Sequence, residues 1–520
     1  MNAVPTVAAE PITANSVPRF ADLQMQKAKY LMPCLNSMED ALRSGMFINR
    51  KTQKIGAELE VFLVDRETGA PANLAVEVVR ELVAISKQFQ HEATQIQVEY
   101  NASVFRMREV CFQNLRDDMR DALQLIDSIA AKYGAISVAC GTLPSSSYDD
   151  LLGKRVLMTP LSRYRTMSST VQESRLALFD GKEDPRIVIP QHSRDVFEMP
   201  KGVHLPWLIG LFSSYQMHLE IPYDKFGRIY NWFVALAGIH LGATTGSGVF
   251  CERLVAKEIR SWMWRFLMGK QLAGFPESYL EEDNLAFAQY MRRAVEKHPV
   301  LLDLSVKGEY PDFDNYGHLN LHNGTVWEPL RGVLGREGDK LTTRIEVRWP
   351  ASGPTPADMV AHTAMLFAAT LAFEGEAPAK FVPFGAAKKH FMDASFSGLD
   401  FIAQWSDDYY SVRHLLLNMI IPRAREILQD FGIDLSILEP VKNSVSKGVT
   451  PADWIGEAFI LLVNAGYTRQ MAGQVLTKRI SEPELKLHPE GFVAWPKPAE
   501  AFKKDIRAMQ KSGEVQVANY

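Results

Sequence analysis

The chain has 520 residues, 47% of them hydrophobic and 23% charged, with a net charge of −4 at pH 7. That length allows a large core and more than one structural lobe, while the near-neutral balance gives no electrostatic case for nucleic acid or an anionic membrane as main partner. Four widely spaced cysteines (Cys34, Cys111, Cys140, Cys251) without a C-x-x-C pair argue against a disulfide scaffold or zinc ribbon and fit a reducing, cytoplasmic compartment.

Residues 1–20 lack a basic segment followed by an apolar block and are expected to form a flexible tail, not a signal peptide. A helical pattern runs from 21 to 46, ending near Gly45, and "KIGAELEVFLVD" (54–65) reads as a strand closed by the turn-like "RETGAP". Helix is predicted over 75–89, strand over 94–102, a long amphipathic helix over 114–134 and strand over 135–144. After a polar, irregular middle, "SSYQMHLEIP" (213–222) returns to strand. Residues 229–251 contain no Asp, Glu, Lys or Arg and are long enough to span a bilayer. Asn231, His240, Thr244, Thr245 and Ser247 interrupt them, however, and glycines crowd their second half, so a buried helix running into a glycine-rich loop is expected.

Strands are predicted at "HLNLHNGTVWEPL" (318–330) and "KLTTRIEVRWP" (340–350). "TPADMVAHTAMLFAATLAF" (355–373) opens with a Thr cap and a Pro in the first turn, a good helix start. Beyond about 400 the pattern is mostly helical. Irregular alternation of strands and helices, with no glycine-rich βαβ fingerprint, predicts an α+β fold with a mixed or antiparallel sheet.

Strand parity is the source of the chemistry. Successive side chains on a strand point to opposite faces, so Glu58 and Glu60 share one face while Ala57, Leu59 and Val61 take the other. In "RIEVRWP" (344–350) the charged residues Arg344, Glu346 and Arg348 alternate with Ile345, Val347 and Trp349. Glu92 and Glu99 stand seven apart in "HEATQIQVEY", and Gln216, His218 and Glu220 alternate with apolar residues in "YQMHLEI". Each stretch alone fits a solvated outer face with local ion pairs. Together they offer the hard oxygen and imidazole ligands that suit Mg²⁺ or Mn²⁺, with arginines that bind anionic oxygens bidentately. No Walker A loop, H-E-x-x-H or G-x-S-x-G is present.

The order E-L-E, E-x(6)-E, M-H-x-E and R-I-E-V-R resembles the glutamine-synthetase-like superfamily, and within it the glutamate–cysteine ligase and carboxylate–amine ligase family. "GAELEVFLVD", "RYRTM" (163–167), "LHNGTVWEPLRG" (321–332), "RIEVRWPASGPTPADMVAHTA" (344–364) and "SKGVTPADW" (446–454) carry the likeness. It implies a curved, mainly antiparallel sheet forming a funnel with flanking helices, over a catalytic domain of 21–400, and a helical extension of 401–520 packed on it. It also implies ATP and Mg²⁺ (or Mn²⁺), an acyl-phosphate intermediate and an amide of γ-glutamyl type, with glutamate plus cysteine the first substrates and a place in glutathione biosynthesis. By that resemblance Glu58, His218 and Glu346 hold the cation at the ATP phosphates, and Glu60, Glu92 and Glu99 hold one nearer the amino acid. Arg348 and Arg344 counter charge on the nucleotide and the transferred phosphoryl group, and Arg163 grips a substrate carboxylate. Where the family carries an Ala-Asn-Ser/Ala-Pro run, this chain reads "GATTGSGVF" (242–250), which bears on substrate identity. The longer middle and C-terminal regions suggest a homo-oligomer contact or a regulatory element. A non-ligating nucleotide or amino-acid binder of the same superfamily, and a metal-dependent amide hydrolase, are the competing readings.

Overall fold

Lys54–Asp65 (β1) is the strand on which the molecule is built. Its alternation buries Ile55, Ala57, Leu59 and Val61 and leaves Glu58 and Glu60 partly accessible on the other face, as parity predicts. The computed structural model describes residues 19–50, 52–178, 205–261, 274–305 and 316–512, with isolated positions at 195, 197, 203 and 263. All but the last two residues of the expected tail lie outside them, as do Trp262 and Trp264.

The remaining strands follow in chain order: β2 (Phe89–His91), β3 (Gln97–Asn101), β4 (Phe105–Arg106), β5 (Ala135–Val138), β6 (Tyr215–Ile221), β7 (Val249–Phe250), β8 (Arg253–Leu254), β9 (Leu330–Glu337), β10 (Lys340–Val347), β11 (Ile402–Trp405) and β12 (Asp408–Ser411). One eight-stranded sheet takes the order β2-β3-β1-β6-β10-β9, with β4 and β5 also pairing with β1, and every pairing is antiparallel. The sheet curls into a half-barrel. The α+β expectation, with a curved antiparallel sheet, therefore holds.

The apolar face is covered by helices that are buried almost along their whole length, Phe226–Thr244 and Pro356–Ala372. A helix apolar all round must lie inside a protein or a membrane. Here it lies inside the protein: Phe233 and Phe367 of the two helices meet edge to face, and among the described residues no helix is long and apolar enough to cross a membrane. The 229–251 segment is thus the buried helix and glycine-rich loop its sequence predicts.

Three predicted elements differ, one being the strand expected over 135–144, which ends at Val138. The helix expected over 75–89 stops at Ile85, because Ser86 is extended (φ −145°, ψ 135°) and Phe89 joins an edge strand, where its ring meets Tyr100 at 4.9 Å. The strand expected over 318–330 is instead a helix, Gly317–Gly324, followed by a strand that begins only at Leu330. Besides Gly317, it buries Leu319, His322 and Asn323, an i, i+3, i+4 set that alternation in "HLNLH" conceals.

Candidate active site

Strand register stacks the polar positions of the concave face into rows. Gly56, His218, Glu346 and Arg331 stand opposite one another across β1, β6, β10 and β9. Glu58 lies one step along, opposite Gln216 and Asn101, and Glu60 one step further, opposite Glu99, which in turn faces Gln90. Sequence positions almost 300 residues apart are thereby set side by side on a rigid frame.

The first group is built on Glu346, which is fully buried. Its Oε2 accepts from Arg331 Nε at 3.0 Å and Nη2 at 2.6 Å, and Arg348 Nη1 lies 3.2 Å from its Oε1. Burial opposes ionisation of this carboxyl, but Arg331 and Arg348 outweigh it and hold the group down to about 2. Arg344 Nε donates to His218 Nδ1 at 3.2 Å, and His218 Nε2 stands 3.1 Å from Glu58 Oε1. Burial works against the Glu58 charge as well, yet His218 leaves its carboxyl below the ordinary range. His218 Nε2 and Glu346 Oε1 are buried, and their contacts with Glu58 and Arg348 are ion pairs whose geometry falls short of a hydrogen bond.

In the second group, one ligand atom each from Glu60, Glu92 and Glu99 lies within 4.8 Å of the others. Glu60 is oriented by Ser214 N at 2.7 Å and Gln216 Nε2 at 2.9 Å, Glu99 by Asn101 Nδ2 at 2.9 Å and Glu92 by the Ala93 N–H at 2.9 Å. Burial, then the neighbouring Glu92 charge, pushes Glu60 up to about 7. Burial and the charges of Glu58 and Glu92 push Glu99 well above its usual value. Three carboxylates so close repel one another unless protons or a cation intervene.

The second group and Glu58 of the first open on a cavity of about 400 Å³, lined by Glu58, Glu60, Glu92, Glu99, Arg163, Arg260, Arg331 and Arg348 among others, while His218 and Glu346 lie behind that lining. Arg163 Nη2 donates to His91 O at 3.1 Å and Tyr164 Oη at 2.7 Å, leaving its Nε without a partner. Arg344 stands apart. It lies one row further out, opposite Glu220, and reaches the cavity's residues through His218.

Two cavity residues went unnoticed in the sequence. Arg331 sits just past the segment read as a single strand, so its parity with Glu346 was hidden until β9 was placed. Arg260 is buried, its Nη1 near Glu258 Oε1 (3.2 Å) and Trp349 O (3.4 Å). Glu258 also accepts from the Gly246 N–H and the Ser247 hydroxyl, so the divergent "GATTGSGVF" loop buttresses Arg260. A lone Arg in "KEIRSW" carries no periodic signal that would have identified it.

Comparison with known proteins gives three findings. The family model described as glutamate-cysteine ligase family 2 matches residues 54–185, a span that contains Glu58, Glu60, Glu92, Glu99 and Arg163. The fold is similar to that of a glutamate–cysteine ligase from Francisella tularensis solved in complex with AMP, with TM-score 0.50 and 11% identity, covering 91% of this chain and 96% of that one. A bifunctional glutathione synthetase from Pasteurella multocida is similar with TM-score 0.48 and 11% identity, over 91% of this chain and 56% of its own. No curated protein matches the chain. Over residues 54–185 the family match agrees with the resemblance carried by the motifs there and with the expected ATP-dependent carbon–nitrogen ligase, and the structural likeness agrees with the expected fold.

Proposed function

We propose that the chain is an ATP- and divalent-cation-dependent carboxylate–amine ligase that forms an amide of γ-glutamyl type through an acyl phosphate. The observation that carries this reading is that Glu60, Glu92, Glu99 and Glu58 line one cavity together with Arg331 and Arg348, with Glu346 buried between the two arginines behind it. The residues fit cations. The first group offers His218 Nε2 and Glu346 Oε1, buried beside Glu58 and Arg348, and three mutually repelling carboxylates form the second. Glu58, His218 and Glu346 would hold one cation, and Glu60, Glu92 and Glu99 another. Bound there, such ions would offset the charge of phosphoryl and carboxylate oxygens.

The chain's own side chains do the rest. Arg348, with Arg331 behind it, places positive charge where phosphoryl oxygens gather negative charge, in a pocket where such charge acts strongly. Glu346 keeps both guanidiniums oriented before substrate arrives. Arg344 fixes the ring of His218 by donating to Nδ1, which leaves the neutral ring's proton on Nε2; a ligand role for Nε2 requires that proton to move and Arg344 to turn away. Arg163, with an unpartnered Nε at the cavity, is placed for a substrate carboxylate. Glutamate as donor and cysteine as acceptor are the first pair to assay, following the family resemblance.

The test is ADP release, measured with Mg²⁺ or Mn²⁺ across amino acids and amines. ADP that appears only when both a carboxylate and an amine are supplied is the expected result. ATP binding by calorimetry with no turnover for any pair would favour the non-ligating binder, and amide cleavage without ATP would favour the hydrolase.

A further inference from the structure

The surroundings of Arg163 are fixed from outside the cavity. Arg163 and Met167, on the helix Ser162–Leu178, line the cavity, and so does Leu302 in the irregular segment 299–305. An irregular segment must find partners for its backbone groups, and here two glutamines near the start of the chain supply them. Gln24 spends its whole amide on one residue: Nε2 donates to Val300 O at 2.8 Å and Oε1 accepts from Val300 N at 2.9 Å. Gln26 holds the other end, accepting from Leu304 N at 2.7 Å and donating to Asp303 Oδ1 at 2.8 Å. Leu301 and Leu302, between these anchors, are buried in the same apolar cluster as Tyr164 and Met167.

Residues two apart on a regular α-helix point to nearly opposite sides. Both glutamines nevertheless reach one loop, because the α-helix Phe20–Gln24 gives way to a π-helix, Lys27–Leu31, and regularity is lost between them. The same stretch grips the other wall. Phe20 packs on the cluster that holds Tyr164 and Met167, and its N–H donates to Glu173 Oε2 at 2.8 Å. Side chains facing a cavity lack packing on that side, so their position must be set from behind.

We propose that Gln24 and Gln26 are positioning residues for substrate: with Phe20 they strap segment 299–305 to the helix that carries Arg163, so that both walls hold one geometry. The inference rests on the reading of Arg163 as the group that takes a substrate carboxylate, and adds what fixes its surroundings. Without the strap the two walls shift against each other, and a misplacement of about 1 Å can cost on the order of 100-fold. Arg331 and Arg348 are carried by β9 and by the residue following β10, which the strap does not touch, so the nucleotide is spared.

The test is a double variant, Gln24→Met with Gln26→Met, which keeps side-chain length and removes all four bonds. The KM for glutamate or for cysteine, or for whichever pair supports ADP release, is expected to rise by at least ~10-fold, with the KM for ATP unchanged. Gln26→Glu should act in the same direction, because a carboxylate then faces Asp303; adding Asp303→Asn restores a donor there and should bring the KM back. A lower melting temperature with every KM unchanged would make the strap purely structural and overturn the inference. A KM for ATP that rises as much as the others would overturn it too. If the wild-type protein turns over no pair, the ligase reading falls and hydrogen exchange decides about the strap. The double variant should then exchange faster in the helix Ser162–Leu178 as well as in 299–305, and a helix as protected as in wild type would end the proposal.

Discussion

Glu346 and its two arginines are balanced against each other, and a change in one is felt by all three. Glu346→Gln preserves shape but removes the charge that compensates Arg331 and Arg348 in a buried setting. Removing one partner of a buried pair costs about 3–5 kcal/mol, so a clear fall in melting temperature is expected. Turnover should fall by at least ~100-fold, comparable to the loss of one electrostatic stabiliser. Arg331→Lys is the sharper probe, because Arg331 gives two N–H groups to one carboxylate oxygen and lysine cannot reproduce that fork. A Lys variant with wild-type ligase rate would remove Arg331 from the phosphoryl-handling apparatus. The shared face of Glu58 and Glu60, and of Arg344, Glu346 and Arg348, could be read because charged and apolar residues alternate in sequence along β1 and from β10 into the residue after it. Arg331 and Arg260 could not, because their relevance comes from cross-strand register and a buttressing loop, neither of which leaves a local pattern.

At the scale of an element, the helix Pro356–Ala372 shows how a readable start conceals a tertiary device. Its Thr355 cap and following proline were evident in the sequence, and the Thr355 hydroxyl does accept from Asp358 N at 3.1 Å. What the sequence could not reveal is the fate of the Asp358 carboxylate. It is buried and takes donors from the Thr355 hydroxyl at 2.7 Å and from the distant Phe492 N at 2.9 Å. Burial outweighs those bonds and pushes the acid from 3.8 up to about 7. The folded state therefore keeps a proton that the unfolded chain has released between those two values, and stability falls as pH rises through that window. Asp358→Asn keeps an acceptor for Phe492 and abolishes the titration. Relative to wild type, the variant should gain stability between pH 5 and pH 8, by roughly 3 kcal/mol at most, read as a rise in melting temperature. Parallel melting curves for the two proteins across that range would refute the assignment. The helix Gly317–Gly324 was misread for a related reason: its short repeat alternates as a strand does, and only tertiary burial of His322 and Asn323 sets the helical choice.

For the molecule as a whole, the predicted division at about residue 400 raises the question of whether the C-terminal helices are an addition or part of the fold. Pattern reading places helices there but cannot say what their apolar faces meet. Val412, Leu415, Leu428, Leu438 and Val445 belong to the same core as the apolar face of the sheet. Trp454, Phe459, Leu462, Leu476, Phe492 and Phe502 form the second core together with Phe62 and Val64 of β1 and Ile136 and Val138 of β5. Lys486 reinforces this second junction. Its buried ammonium donates to Asp127 Oδ2 at 2.6 Å, Ser137 O at 2.7 Å and Ser137 Oγ at 2.9 Å. Asp127 meanwhile accepts from Ser137 N and Oγ, which ties the last turn of the helix Cys111–Ala130 to β5. A chain ending at residue 400 would expose one face of β1 and β5 and leave Asp127 without its cation. We therefore expect it to lose cooperative unfolding and ATP binding together. Lys486→Met in the full chain isolates the junction from the loss of apolar surface, and should lower stability by about 3 kcal/mol, read as a shift in denaturant midpoint at constant slope. A truncated chain that melts cooperatively and binds ATP with wild-type affinity would show instead that the sheet and its carboxylates stand without the C-terminal helices.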